Sequence, residues 1–342
     1  MIAVRRSPFH WSGMTAGHRL AVIGVMLAIV LVLSLFVGRY PAPGFITPDR
    51  LASDELAQRL VFNLRLPRLL TALMLGMSLA AAGAVFQQIF ANPLVEPGFL
   101  GVSQGAAFGA SVAIIFWGSA AWLVQGSAAV FAFAGLGLSY ALARRGRFGG
   151  SVLRLILAGI AVSALFSAGV GALKYLADPL SQLPEITFWL LGGLASISWT
   201  QFWSITPVVL VSLFVIYRMR WRLNLLSLDD STAFSMGASP GRERALLLGA
   251  AVAATAAVVS VCGMVAWVGL IVPHIARRLF GADARFVVPA SLFIGGLFGV
   301  VCDDLARTAT AGEIPIGILT SLAGATFFLV IITTYGHAGE KR

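Results

Sequence analysis

The 342-residue chain is 58% hydrophobic and only 11% charged, with a mean hydropathy of +0.90, far outside the range of a water-soluble core. That excludes a soluble enzyme or binding module and leaves a polytopic membrane protein. The net charge of +10 reads as membrane topology and attraction to anionic lipid headgroups, so no nucleic-acid partner is needed to explain it.

Apolar runs between polar breaks predict an all-α membrane domain of about ten spans. They lie near residues 20–37, 66–90, 98–117, 122–143, 152–173, 200–217, 244–262, 264–280, 287–305 and 315–335. No long linker or low-complexity stretch interrupts them, so residues 1–342 read as one domain, with a short cytoplasmic segment at 1–19. The first run follows Arg5, Arg6 and Arg19 as a signal peptide would. It is long enough to cross about 30 Å of hydrocarbon and no clean cleavage site follows, so it is expected to be a span. Pro273 predicts a kink or break within the eighth span.

Arginine and lysine set the orientation. With the N-terminus inside, Arg5, Arg6, Arg19, Arg144, Arg145, Arg147, Arg154, Arg218, Arg220, Arg222, Arg242, Arg244, Arg277, Arg278, Arg285, Lys341 and Arg342 fall on the cytoplasmic face, 17 of the 24 basic residues. Both termini are then cytoplasmic. Arg65, Arg68 and Arg307 run against this bias on the outer face. Asp303 and Asp304, one turn before Arg307, can simply pair with it; alternatively, these arginines form a cationic platform for an acidic protein outside.

In chain order, Gly101, Gly105 and Gly109, and later Gly295 and Gly299, have the four-residue spacing of closely packed membrane helices, a packing signal and no activity. In "ANPLVEPGFLG", Pro93, Glu96 and Pro97 predict a tight cytoplasmic turn between the second and third spans. The cytoplasmic loop at about 219–242 contains "LDDSTAFSMG". There Asp229 or Asp230 can N-cap a short helix through Ser231, Thr232 and Phe234, and Gly237 can end it. Such a helix is either a connector or, given Phe234 and Met236, a docking surface for a partner.

Cys262 and Cys302 sit in apolar runs and imply neither a disulfide nor a metal site. His274 stands alone, as a structural histidine does. No catalytic motif is present and no phosphate-binding GxxxxGK[ST], so the chain is neither an enzyme nor its own ATPase.

"RLPR", "GAVFQQIFANPLVEPGFLGVSQGAAFGA", "DDSTAFSMG", "VGLIVPHIARRLFG" and "DDLARTATAGEIPIGILTSLAGATFF" together closely resemble the permeases that import iron complexes and cobalamin in bacterial ABC systems, the FecCD-like type II importers. The resemblance covers residues 65–332. It implies ten helices per subunit in the cytoplasmic membrane and pairing with a second permease subunit, as a homodimer or close heterodimer. It further implies two cytoplasmic ATPases, which bind the ATP and Mg, and an external substrate-binding protein; no cofactor belongs to this chain. Residue by residue, it assigns Arg65, Arg68 and Arg307 to binding-protein docking. Asp229, Asp230, Ser231, Thr232, Phe234, Met236 and Gly237 are assigned to the loop that inserts into the ATPase. For the path, "AGVGALKYLADPLSQLPEITFWLLGG" is the candidate, with Gly169, Gly171, Gly192 and Gly193 allowing helix movement. An iron complex, ferric siderophore or haem, is the expected cargo, with cobalamin or an oxyanion such as molybdate as alternatives.

Two rivals stand beside that reading. A proton- or sodium-driven transporter needs acids at bilayer depth, and none is expected away from the span ends. An intramembrane enzyme needs a dyad or metal ligands there.

Overall fold

The structure is a computed structural model and describes residues 14–40, 44–145 and 151–339. Arg5, Arg6, Arg147, Lys341 and Arg342 of the orientation argument therefore lie outside the described residues. From α1 (Ala16–Phe36) the chain passes an antiparallel strand pair, β1 (Val37–Gly38) and β2 (Gly44–Phe45), to the short helices α2 (Pro48–Ser53) and α3 (Glu55–Arg59). A wide-turn π segment, Leu60–Arg65, runs into α4 (Leu66–Ile89). After a 3-10 turn at Pro97–Leu100 come α5 (Val102–Phe116), α6 (Ala121–Arg145), α7 (Ser151–Leu176), α8 (Gln182–Leu191) and α9 (Trp199–Met219). The short α10 (Arg222–Leu226) and α11 (Asp230–Ser235) precede α12 (Pro240–Cys262), α13 (Val268–Phe280), α14 (Ala284–Thr308) and α15 (Ile316–Gly339).

Among the described residues, seven helical segments are long and apolar enough to cross a membrane; α5 and the apolar stretch Ile316–Val330 are shorter. With the 13-residue α13 they correspond to the ten expected spans. The second is longer than the sequence suggested, running from Glu55 to Ile89 over 35 residues. The span was expected from near residue 66, and a residue before proline ordinarily avoids the α region. Instead the π turn absorbs the proline: Leu66 N–H reaches back to Val61 O, five residues away.

α4 is the axis of the bundle. It is apolar on every face and buried along most of its length, as a helix surrounded by others must be. Its glycines let α14 and α13 approach to backbone contact: a Cβ on Gly76 would lie 1.9 Å from Gly295 O, and one on Gly83 1.9 Å from Gly269 O. Gly299 meets Ala72 O at 2.4 Å in the same way. Gly105 and Gly109 likewise seat α5 on α6, where a Cβ would lie 2.3 Å from Phe131 O and 2.5 Å from Ser127 O respectively. The four-residue glycine spacing is thus used for packing, which supplies van der Waals contact where lipid removes the hydrophobic driving force.

Two expectations about breaks are corrected. Helix α13 continues through Pro273 without a break, and the interruption between Cys262 and Val268 falls where the seventh and eighth spans were expected to part. There Gly263 takes φ +70° and Trp267 φ +73°, and the Trp267 ring fills the notch at Gly324 of α15, where a Cβ would meet it at 2.5 Å. The turn after α4 is also not confined to the end of the bundle. Past Ala91 at φ +47°, the chain folds back so that Pro97 packs on Gly269, itself beside Leu79 O and Gly83. That places Pro97 about 9–15 Å up α4 from Ile89, at 1.5 Å per residue. Glu96 goes with it, because its carboxylate accepts the otherwise unpaired Trp267 N–H at 3.3 Å.

Candidate functional site

At one end of the bundle, Arg65, Arg68 and Arg307 converge, but they do not form an open platform. Arg68 donates from Nε to Asp303 Oδ1 at 2.7 Å and from Nη1 to Glu313 at 2.7 Å. Arg307 donates to Ser34 O at 2.6 Å and Val37 O at 2.7 Å, and pairs with Asp304. Arg68 and Arg307 are only 8% and 9% exposed, and Asp303 1%. Arg65 donates to Leu35 O at 3.3 Å and lies flat over Gly38, where a Cβ would be 2.0 Å from its Nη2. The structure thus shows the local pairing anticipated for Arg307 with Asp303 and Asp304, and Arg68 joins it through Asp303. The physical reason is twofold: buried carboxylates demand a partner, and the last carbonyls of α1 lack helical partners and attract cations. Glu313 was expected only among the acids that balance the outer-face arginines, without a named partner, and Ser34 was missed. They lie 245 and 273 positions from the arginines they meet, and no local pattern marks them.

Beside this cluster opens a cavity of about 460 Å³ lined by Arg68, Glu185, Phe188, Trp189, Gly192, Gly193 and Glu313. Of the proposed path glycines, Gly192 and Gly193 line it and Gly169 and Gly171 do not. Gly192 ends α8 at φ +69°, and a Cβ there would sit 2.3 Å from Met264 O. Gly169 is filled by the Phe108 ring at 2.6 Å, whereas Gly171 and Gly193 face open space. Thus only Gly171 and Gly193 keep unfilled surroundings.

A second cavity of about 380 Å³ lies deeper, lined by Glu96, Ser103, Gln104, Ser163, Thr255 and the chain break at Met264–Ala266. The expectation of no carboxylate at depth is thus corrected: Glu96 is one. Its bond to the Trp267 amide makes it a cap for α13 rather than part of an ion cage. Nearby, Gln87 pins α4 to α13, donating to Gly269 O at 3.1 Å while accepting from Arg277.

At the opposite end, α11 forms where Asp229 starts it. The Asp229 carboxylate accepts Thr232 N–H at 3.0 Å and Ser231 Oγ–H at 2.5 Å. These bonds, the Ser231 hydroxyl foremost, hold its pKa down at about 2. Gly237, at φ +79°, closes the helix, its N–H donating to Phe234 O at 2.9 Å. Arg222 donates to Gly237 O at 3.0 Å, and Arg244 donates to Asp230 at 2.5 Å and to Leu226 O at 3.0 Å. Ala233 is buried, while Phe234 and Met236 stand 71% and 58% exposed. The short helix is therefore clamped on one side and presents two large apolar side chains on the other. Among the described residues no His, Cys, Asp or Glu group could hold a metal ion; His274 packs edge-on against Phe327, and both cysteines are buried and unpaired.

The sequence profile of the FecCD transport family matches residues 26–334. The chain belongs to the FecCD transport family. Among FecCD relatives, the molybdate import system permease protein MolB of Haemophilus influenzae is 38% identical over 92% of this chain and 95% of its own. A Helicobacter pylori protein described as an iron chelatin transport system permease is also 38% identical, over 82% and 85%. A solved inward-facing metal-chelate type ABC transporter superposes with a TM-score of 0.86 at 36% identity, covering 93% of this chain and 99% of that one. The FecCD assignment accounts for an all-helical, multi-pass permease; it leaves the cargo open.

Proposed function

We propose that the chain is the permease subunit of an ATP-driven importer that carries an iron complex across the bacterial cytoplasmic membrane. It works with a second permease subunit, two ATPase subunits at the α11 end and a substrate-binding protein at the Arg68 end. The observation that carries this reading is α11 itself. A helix of six residues, too short to be stable alone, is capped, clamped by Arg222 and Arg244, and shows Phe234 and Met236 to solvent. A structure of that kind suits a lever that a second protein moves. ATP-driven closure of that protein would displace α11 and, through Arg244, the start of α12, tilting helices that border the two cavities.

The basic end of the bundle is cytoplasmic in this reading, following the arginine count. The buried arginine cluster is a strut that holds α1, α4 and α14 together beneath the docking face, which binds its partner through neighbouring exposed groups such as Glu313. Gly171 and Gly193, with open space around them, are where α7 and the segment after α8 can move. Long exposed apolar side chains on α7 and α15, Leu165 at 65% and Leu322 at 65% among them, suit contact with lipid or the second permease subunit.

A second cargo reading, an oxyanion such as molybdate, is favoured by the equal 38% identity of the relatives described for molybdate and for iron chelatin. Uptake of radiolabelled ferric siderophore, haem and molybdate by cells carrying the intact system, against cells lacking the permease, tests both. Permease-dependent uptake of iron complexes supports the first, and of molybdate alone the second.

A further inference from the structure

Asn224 of α10 caps a helix that begins 60 positions further along the chain. Its Oδ1 accepts the Ala284 N–H at 2.9 Å, and its Nδ2 donates to Asp283 Oδ1 at 2.8 Å. Ala284 is the first residue of α14, so its amide has no partner within the helix. The N-cap Asp283 does not serve it: that carboxylate takes the Arg285 N–H at 2.9 Å and the Arg285 Nε at 2.8 Å. An amide N–H and a carboxylate can be met together only by a group that carries an acceptor and a donor side by side, as a carboxamide does. Aspartate, the isostere, would set two carboxylates against each other.

Asn224 belongs to a body that is already tied together. Leu223 and Leu226 beside it are buried. Arg222 donates to Gly237 O, and Arg244 donates to Leu226 O and to Asp230, so α10, α11 and the start of α12 are held as one unit. Beyond the Asn224 bonds, α14 is joined as firmly to α4, by the backbone contacts at Gly76, Gly295 and Gly299 and by the Arg68–Asp303 pair. It runs for 25 residues, about 37 Å at 1.5 Å per residue. At its far end Ala306 lines the cavity beside Arg68. Packed helices have little compressibility and transmit displacement along their length.

The geometry points to Asn224 as a positioning residue for transport, the side chain through which movement of the α10–α11 unit is passed to α14 and so to the cavity beside Arg68. This role, which rests on α11 being the lever proposed above, is separate from that of Arg244, which leads into α12. It does not depend on the identity of the cargo.

The test uses the full-length permease with its ATPase subunits in nanodiscs, spin-labelled at exposed positions, since both native cysteines are buried. Ser235→Cys with Leu142→Cys reports α11 against the end of α6. Leu305→Cys with Trp122→Cys reports the far end of α14 against the start of α6. Double electron–electron resonance reads both distances without nucleotide and with ATP and vanadate. In the parent both should change with nucleotide. In Asn224→Asp the first should still change, with ATP hydrolysis retained, while the second stays at its nucleotide-free value. Asn224→Asp with Asp283→Asn re-forms the bond with donor and acceptor exchanged and should restore the second change, which a cap of structural importance alone would not link to nucleotide. Should Asn224→Asp not assemble, Asn224→Ala, which removes both bonds without repulsion, is read in the same way. A normal change at Leu305–Trp122 in the single variant, or no recovery in the exchanged pair, overturns the role of Asn224. A Ser235–Leu142 distance that ignores nucleotide in the parent overturns the lever itself and this role with it, so the two failures are distinguishable.

Discussion

Arg68 and Asp303, 235 positions apart in the chain, meet inside the bundle at 2.7 Å and join α4 to α14. With 1% of Asp303 exposed, removal of the arginine leaves a buried carboxylate with only the longer contact to Arg307, at 3.7 Å. Arg68→Met is therefore expected to destabilise the protein by about 3–5 kcal/mol, whereas Arg68→Met with Asp303→Leu recovers much of the loss. Glu313, whose side chain is 43% exposed, contributes far less, so Glu313→Gln should cost under about 1 kcal/mol. Thermal unfolding of the three variants in detergent checks the order.

Gly76 and Gly171 should respond to alanine in opposite directions. At Gly76 the new Cβ would lie 1.9 Å from the Gly295 backbone oxygen. The helices must separate, at a cost of about 1–3 kcal/mol or more. At Gly171 nothing lies within 4 Å, so alanine should stabilise α7 by up to about 1 kcal/mol through helix propensity. If α7 bends there during transport, the same variant slows uptake while melting higher. Unchanged uptake would remove Gly171 from the moving parts.

Phe234→Asp should leave the melting temperature of the permease unchanged, because the side chain is 71% exposed. Loss of a central aromatic anchor typically costs about 2 kcal/mol, roughly 30-fold in docking affinity. Binding of the ATPase subunit to the variant in nanodiscs reads this directly. An affinity equal to the parent's would show that α11 is only a connector.

The Asp229 cap has a definite pH signature. Its carboxyl pKa is lowered from 3.8 to about 2 by the Ser231 and Thr232 bonds. A folded-state value below the unfolded one means that the stabilisation is fully present above about pH 4. It is lost as the pH falls toward 2. Amide exchange at α11 should therefore be insensitive to pH, after correction for intrinsic rates, from 8 down to about 5, and Asp229→Asn should raise it throughout. A loss of protection near neutral pH in the parent would contradict the assignment of Asp229 as the cap.

What could be read in advance follows the range of the interactions involved. The α11 helix was legible because its cap, its glycine stop and its apolar pair lie within nine residues, 229–237, and local hydrogen bonds decide them. The glycine spacing of α14 was legible for the same reason, although its partner, Gly76, was not. Pairing of Arg307 with Asp303 and Asp304 was legible from their one-turn spacing. Charge bias assigns Arg68 to an end of the bundle, but only the fold brings Asp303 and Glu313 to it. Proline suggested a break inside α13, but the helix runs through Pro273, and the left-handed Trp267 before it, against its own preference, was not foreseen. The Glu96 carboxylate and the Gly324 notch, both distant in sequence, hold it there. Glu96 was taken for a water-facing turn residue on the same ground of local chemistry, and its position in the bundle is set by a bond to an amide 171 positions away.

A passive permease driven by another subunit moves its cargo only when that subunit turns over ATP. The direct measurement is uptake of the labelled cargo into vesicles that contain the permease, its ATPase subunits and the binding protein, with and without ATP and with and without an ion gradient. Uptake that requires ATP and the ATPase, and that is indifferent to proton or sodium gradients, is the predicted result. Concentration of cargo by the permease alone, driven by an ion gradient, would contradict it.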